Sequence, residues 1–542
     1  MRDHMNGRRG FLRNLGLMAA GAVAGAPGEL MAAESPSAIP RVEIKVGSRR
    51  QLLFDDFFIG RGSPEKEDSP HGIRWTFGTF GRSRLLLRAD RPWEHQVAWV
   101  SVLKEGSRYR AWYDDHNPGG SRTEGFRIGY AESDNGLEWR KPDLNLIEKD
   151  GSKKNNLVYA GPPDAWAMEL GSVFIDPVAK PAERFKMLHT SREGRHVWPF
   201  GNYPYVGGTS LLKGAYSADG LNWTTYPAMF LGHVPDTQCV GVYDPTTQKY
   251  VAYIRKIATY GRLDVGDNPV RQSSRGAGIG RMESWDFNRG WSFPEPVLMP
   301  DFEDGLNIDL YSPGYMRYPD AENAHFMFPS VIDRWEGTLK VKAAVSRDGR
   351  SWLRPNRSDV LPLGEPGTFD GARMFLSPDF VPLDRDTYAI YYRATNDPHG
   401  GGHGSVKPAN PRVEGMGRVT FKRDRILGIE AGSGEGVFST RPLLFEGRRL
   451  VINAEPTGPA PRIQVQLIGV GQREVQRPQG IGREDVVCPG CSFEDNVPIT
   501  GDVLDGEVRW RNRQDIAGWA NKPVRLHFRM KGMRIYAFQF LG

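Results

Sequence analysis

The sequence predicts an all-β chain, a five-bladed β-propeller followed by a β-sandwich, on three observations. A strand–turn–tryptophan signature recurs between residues 130 and 421. Alternating strands without that signature fill residues 431–542. The composition favours short strands joined by turns, with Gly 64, Pro 40 and 11% aromatic residues, because aromatic residues suit a pleated, half-buried surface while Gly and Pro punctuate it.

The signature is clearest in three copies. Tyr130-Ala131-Glu132-Ser133-Asp134-Asn135-Gly136-Leu137-Glu138-Trp139 matches Ala215-Tyr216-Ser217-Ala218-Asp219-Gly220-Leu221-Asn222-Trp223, and both match Ala343-Ala344-Val345-Ser346-Arg347-Asp348-Gly349-Arg350-Ser351-Trp352. Asp-Gly and Asn-Gly close tight hairpins, since Gly tolerates positive φ and Asp or Asn bonds its own backbone. Trp223 and Trp352 stand two units of about 65 residues apart, so a degenerate copy is expected between them. Gly278–Trp285 fits that slot, and Gly415–Phe421 supplies a fifth. Each unit also has an earlier strand pair: Ala98–Leu103 with Tyr109–Tyr113, Ser172–Ile175 with Phe185–His189, Val240–Tyr243 with Tyr250–Arg255, Gly314–Tyr318 with His325–Phe328, and Phe380–Leu383 with Tyr388–Arg393. Four strands in each of five stacked units make a propeller over residues 91–430. Residues 34–90 are expected to pack on it as an N-terminal extension, and residues 431–542 to form the sandwich.

Residues 1–33 read as a twin-arginine-type signal peptide: Arg8-Arg9-Gly10-Phe11-Leu12-Arg13 leads into the apolar run Leu15–Ala26 and then small residues. Export to the periplasm or beyond is expected, with no membrane contact beyond that segment, whose apolar run is too short to span a bilayer. The net charge of +6 includes Arg2, Arg8, Arg9, Arg13, Asp3 and Glu29. Removing them leaves 67 basic and 63 acidic residues, a balance with no Lys/Arg block and no expectation of nucleic acid. Three cysteines build no disulfide framework. Cys488 and Cys491 form one CxxC, open to a local disulfide or two inert thiols. A metal site would need two further ligands, so neither metal nor other cofactor is expected.

The propeller-plus-sandwich order, the run from Gly436-Val437-Phe438 to Asn453 and the closing run from Lys522-Pro523-Val524 to Phe540 resemble glycoside hydrolase family 32, the invertase group. The propeller by itself is similar to family 43 arabinanases and xylosidases. The resemblance implies glycosidase activity on a carbohydrate substrate. The family 32 motifs Trp-x-Asn-Asp-Pro, Arg-Asp-Pro and Glu-Cys are not present as such. Asp176-Pro177 and Tyr243-Asp244-Pro245 both follow a strand and precede its hairpin partner, so they read as turn residues on the far face.

In a propeller the first strand of each blade starts at one face and the second returns to it. Glu94, Glu169, Asp236, Asp309 and Asp370 lie at or before first-strand starts, with His95 beside Glu94. Paired carboxylates there could hydrolyse a glycosidic bond, one attacking or activating water and one protonating the leaving oxygen. Glu169 and Asp236 are the expected working pair, with Asp309 tuning the acid or binding a hydroxyl. Asp115, Arg192, Arg255, Arg334 and Arg393 lie at second-strand ends. These arginines fit either an anionic sugar or neutralisation of the carboxylates. Asp115 joins Glu94, His95, Asp370 and the arginines as substrate-binding candidates. The glycine-rich loop Asn396–His403 brings His399 to the same face. Trp112, Trp166 and Trp198 fit core packing better than sugar stacking. Rival readings are a non-catalytic glycan-binding surface protein and a glycoside phosphorylase. A sialidase fits less well, since the Ser-x-Asp-Gly turns lack its extra residue between Asp and Gly.

Overall fold

The computed structural model describes residues 43–60, 69–115, 127–161, 169–193, 209–227, 230–232, 237–257, 277–305, 307–321, 323–401, 404–477, 480–513 and 515–542. Strands dominate them, and their only helical turns are of the 3-10 type, at Pro181–Glu183, His399–Gly401 and Ala517–Trp519. The chain folds as a β-propeller joined to a β-sandwich.

The first repeat is the antiparallel sheet Ala98–Glu105, Arg108–Asp115, Arg127–Ser133 and Leu157–Ala160. The second orders Leu170–Ile175, Phe185–Glu193, Thr209–Ser217 and Thr224–Thr225. The third orders Val240–Asp244, Lys249–Ile257, Ala277–Ser284 and Glu295–Leu298. Proline-containing breaks divide the strands of the fourth. Ile308–Ser312 pairs Ser330–Asp333 near the axis, and Tyr315–Arg317 pairs His325–Met327 further out. The fourth and fifth repeats share one eight-stranded sheet through a parallel pairing of Leu339 with Arg373. In the fifth, Thr387–Thr395 lies between Arg373–Leu376 and Glu414–Lys422. Its outer strand comes from the N-terminal segment, where Gly81–Arg82 pairs Thr420 and Val419.

The repeated turn has a specific chemistry. Ser217 Oγ accepts the N–H groups of Asp219 and Gly220 at 3.2 and 2.9 Å, and Asp219 Oδ1 accepts those of Leu221 and Asn222 at 2.8 Å each. Ser133/Asn135 and Ser346/Asp348 repeat this pattern. Gly136, Gly220 and Gly349 sit at φ +70°, +75° and +69°, a region that penalises any Cβ. Each glycine carbonyl then accepts a buried aromatic donor from the preceding repeat. Trp112 Nε1 reaches Gly220 at 2.7 Å, Tyr253 OH reaches Gly349 at 2.7 Å, and Tyr391 OH reaches Gly136 at 2.8 Å. The last of these ties the fifth repeat to the first and closes the ring. Trp112 is therefore core rather than a sugar platform, while Trp166 and Trp198 lie outside the described residues.

The degenerate third copy corrects one expectation. Trp285, placed by spacing as the turn tryptophan, is 73% exposed beneath Lys249. Trp291 packs instead, stacked on Phe230, with Nε1 donating to the Phe287 carbonyl at 3.0 Å. Asp176 and Asp244 are turn residues as expected: Asp176 Oδ1 accepts Val178 N–H at 3.0 Å and Asp244 Oδ1 accepts Thr246 N–H at 3.0 Å.

The first strands crowd the axis. Ser101 Oγ donates to the Val173 carbonyl at 3.3 Å and Ser172 Oγ to that of Gly241 at 2.8 Å. Gln238 Nε2 reaches the carbonyls of both Val100 and Gly171. A Cβ on Gly171 would lie 2.3 Å from the Cys239 carbonyl oxygen. The axis is narrow at this level, so a large ligand is confined to the mouth.

The sandwich consists of two sheets of six strands each. One contains Ile44–Gly47, Leu443–Phe445, Val524–Lys531, Arg462–Arg477, Gly480–Val487 and Gly436–Ser439. The other contains Arg74–Phe77, Leu427–Ala431, Met533–Leu541, Arg449–Pro456, Val503–Glu507 and Gln51–Leu52. The N-terminal segment thus contributes to both sandwich sheets as well as to the propeller. Cys488 and Cys491 are free buried thiols in the sandwich core, and Cys239 is a free buried thiol in the propeller.

Candidate active site at the propeller mouth

First strands start, second strands end and third strands start at one face, so residues distant in sequence converge there. The floor is aromatic: Tyr311 meets Phe375 edge-on at 6.0 Å, and Phe375 meets Trp99 edge-on at 4.8 Å. These rings come from the fourth, fifth and first repeats. Trp99 has φ +42° within a bulge between Ala98 and Ser101. Positive φ is costly for a bulky residue and clusters at functional positions.

Over this floor the arginines of the third to fifth repeats converge. Arg255 Cζ lies 4.5 Å from the Tyr311 ring centroid, and Arg334 Cζ lies 6.0 Å from the same centroid. Arg393 Cζ lies 4.8 Å from Trp99 and 5.3 Å from Phe375. His399 Nε2 is 3.2 Å from the Tyr311 hydroxyl. Arg334 Nε donates to Asp309 Oδ2 at 2.8 Å, and Asp309 Oδ1 accepts Ala277 N–H at 3.0 Å. Asp309 is fully buried and is neutralised by this arginine. Arg393 Nε donates to Glu414 Oε1 at 2.7 Å, and Arg412 binds the other oxygen of Glu414. Burial works to raise the Glu414 carboxyl, but Arg393, Arg412 and Arg373 outweigh it and hold the group below its usual range. Arg373 is pushed down to about 10, first by burial and then by the Arg393 charge.

The first and second repeats present a different face. Glu169 stands just before Leu170–Ile175. Its N–H donates to Thr190 Oγ1 at 2.9 Å, and that hydroxyl donates to Glu169 Oε2. Asp115 ends Arg108–Asp115. Its Oδ1 accepts the backbone N–H groups of His95 and Gln96 at 2.7 and 3.2 Å. Its Oδ2 is buried with no hydrogen-bond partner among the described residues. Burial pushes the Asp115 carboxyl up to about 6, against the pull of the two N–H groups. His95 Nδ1 stands 4.0 Å from Asp115 Oδ1. Among the described residues, neither Glu169 nor Asp115 has an Arg or Lys partner.

The remaining sequence candidates are held elsewhere or in structural ties. Glu94 accepts Lys141 Nζ at 2.5 Å, the Tyr113 hydroxyl and the backbone of Asp90 and Arg91. It fastens the N-terminal segment to the first sheet. Asp370 accepts Arg82 at 3.1 Å, Thr368 Oγ1 at 3.0 Å and Tyr392 OH at 3.3 Å, which ties the added outer strand to the fifth repeat. Asp236 lies outside the described residues, and only the backbone of Arg192 is described, paired with Ser210.

Glu414, Arg373, Thr190 and the aromatic floor escaped sequence reasoning. Third-strand starts also reach the mouth, and applying that rule would have singled out Glu414.

No family model and no curated protein matches this chain. Solved structures similar to it include an N-acetylgalactosamine deacetylase from F. plautii, at 12% identity and TM-score 0.43 over 65% of this chain and 96% of the other. A thermostable family-43 glycoside hydrolase matches at 17% identity and TM-score 0.39, over 62% and 92%. An α-L-arabinofuranosidase from Podospora anserina, solved in complex with cellotriose, matches at 13% identity and TM-score 0.38, over 64% and 96%.

Proposed function

We propose that this chain is an exported glycoside hydrolase of the invertase/arabinanase type, acting on a poly- or oligosaccharide at the mouth of a five-bladed propeller. One observation carries the proposal. Asp309, Glu414, Glu94 and Asp370 are each bound by an Arg or Lys, whereas Glu169 and Asp115 are buried at the mouth without one among the described residues. Glycoside hydrolysis needs one ionised carboxylate and one carboxylic acid whose environments differ.

Glu169 serves as nucleophile or general base, with its Oε2 oriented by the Thr190 hydroxyl. Asp115 serves as proton donor. Its covered Oδ2 favours the protonated form, and its Oδ1 is fixed by two backbone N–H groups. Position along the chain suggests only a binding role for Asp115; the lack of an Arg or Lys partner among the described residues and its raised pKa favour the acid role. Asp236 lies outside the described residues and keeps the role its place in the sequence gives it, a carboxylate working with Glu169. Asp309 acts through Arg334 rather than on the sugar.

The test is release of reducing ends by the mature chain from a panel of plant and algal polysaccharides. Turnover by wild type that is lost in Glu169→Gln and Asp115→Asn, with both variants folded, supports the assignment. Glycan binding without turnover by any form favours the non-catalytic reading, and turnover that requires inorganic phosphate favours a phosphorylase.

A further inference from the structure

Among the described residues, arginines gather on one side of the mouth. On the side of the first and second repeats stand Glu169 and Asp115, without Arg or Lys partners among the described residues. On the side of the third to fifth repeats stand Arg255, Arg334, Arg373, Arg393 and Arg412, with Asp309, Glu414 and Asp397 as their acidic neighbours. Two of those three acids are engaged closely. Asp397 Oδ2 is 3.7 Å from Arg373 Nη2, beyond hydrogen-bond reach.

Arg334 holds the most specific signal. Its side chain is only 9% exposed, its Nε is occupied by Asp309, and its Nη2 is buried without a hydrogen-bond partner among the described residues. A buried guanidinium N–H without an acceptor is expensive, and such groups mark positions where a ligand or solvent completes the bonding. Arg255 approaches the same Tyr311 ring, so two guanidinium groups converge over one aromatic platform.

Resting on the glycosidase reading of the same site, we infer that the substrate is an acidic glycan whose carboxylate or sulfate oxygens are held by Arg334 and Arg255 over Tyr311. A guanidinium fork matches two oxygens of either group. The sugar that carries the acid lies on the arginine side, and the scissile bond lies toward Glu169 and Asp115.

The experiment measures binding by titration calorimetry to folded full-length mature Glu169→Gln protein, which removes turnover from the readout. The probes are galacturonan oligosaccharides and their carboxyl-reduced forms, sulfated galactan oligosaccharides and their desulfated forms, and inorganic phosphate. The expected result is that one acidic probe binds about tenfold or more tightly than its neutral counterpart. Which pair responds separates uronate from sulfate. The preference should collapse in the added double substitution Arg334→Met with Asp309→Asn, which removes both members of that ion pair together. Arg255→Met is a second variant that keeps both members of the Arg334–Asp309 pair.

Equal affinity for the acidic and neutral members of both pairs, including no binding at all, overturns the inference. So does binding of phosphate with no preference between the members of either pair. Acid-selective binding by a wild-type protein that never cleaves these glycans would keep the inference and remove the hydrolase reading. Cleavage of neutral glycans without acid selectivity would do the reverse.

Discussion

Replacing Asp115 by asparagine separates a raised carboxyl from an ordinary one by the pH dependence of stability. Burial lifts this group from 3.8 to about 6 in the folded chain. The folded state therefore holds a proton that the unfolded state has released between those two values, and stability falls as pH rises through that window. Each pKa unit corresponds to about 1.4 kcal/mol, so the loss accumulates to about 3 kcal/mol and is complete above pH of about 6. The substituted amide would keep an acceptor for the His95 and Gln96 N–H groups but could not ionise. Its NH₂ in place of Oδ2 adds an offset that does not vary with pH. The stability difference between variant and wild type should therefore shift by about 3 kcal/mol in favour of the variant between pH of about 3.5 and about 7.5. Urea unfolding of both proteins across that range measures it. The same variant should lose about 10²–10⁴-fold in turnover, the range for a removed general acid. The wild-type kcat/KM should decline above pH of about 6, where the acid form disappears. A stability difference that stays flat with pH, or full activity in the variant, refutes the reasoning.

Asp379 is a second buried acid, just past Arg373–Leu376 in the fifth repeat. The residue as a whole is half-buried, yet its Oδ2 is sealed from solvent without a hydrogen-bond partner among the described residues, and burial lifts the group to about 8 against a hydrogen bond from Ser101. Asp379→Asn should flatten a loss of thermal stability that wild type shows as pH rises from about 4 to about 8, and parallel melting curves would contradict this. Gly220→Ala should destabilise by about 2 kcal/mol or more, since φ is +75° and a Cβ would lie 2.9 Å from Trp112 and Arg110. The same change at the open Gly432, with no atom within 4 Å of its Cβ position, should be close to neutral in the same melt. Burial pushes the Cys488 and Cys491 thiols up to about 12 and about 11. All three cysteines should resist iodoacetamide in the native protein and react after unfolding, and rapid native labelling would refute their burial.

The repeats are legible in the sequence wherever one local motif sets the structure. Ser217-Ala218-Asp219-Gly220 determines its own turn through hydrogen bonds spanning three residues, so the pattern survives in the sequence. Spacing misplaces the third tryptophan at Trp285 because a longer turn through Asp286 and Arg289 moves the packing ring to Trp291. The strands Ile44–Gly47 and Arg74–Phe77 are invisible in the sequence because each is short and pairs with a segment 350 residues or more away, Leu443–Phe445 and Leu427–Ala431.

Position in the repeat identifies mouth carboxylates but not their condition. Glu94, Asp309 and Asp370 are neutralised by Lys141, Arg334 and Arg82 respectively. Spacing along the chain does not disclose those partnerships, because each cation comes from another strand or loop. The same limit applies to Asp115, whose altered pKa arises from burial that becomes apparent only in three dimensions.

The most direct measurement is proton NMR of the anomeric signals during incubation of a cleavable glycan with wild type and with Glu169→Gln. Wild type should release one anomer first, which also assigns retention or inversion, while folded Glu169→Gln should bind the same glycan and release none. Undiminished release by Glu169→Gln would show that the mouth carboxylates do not perform the chemistry.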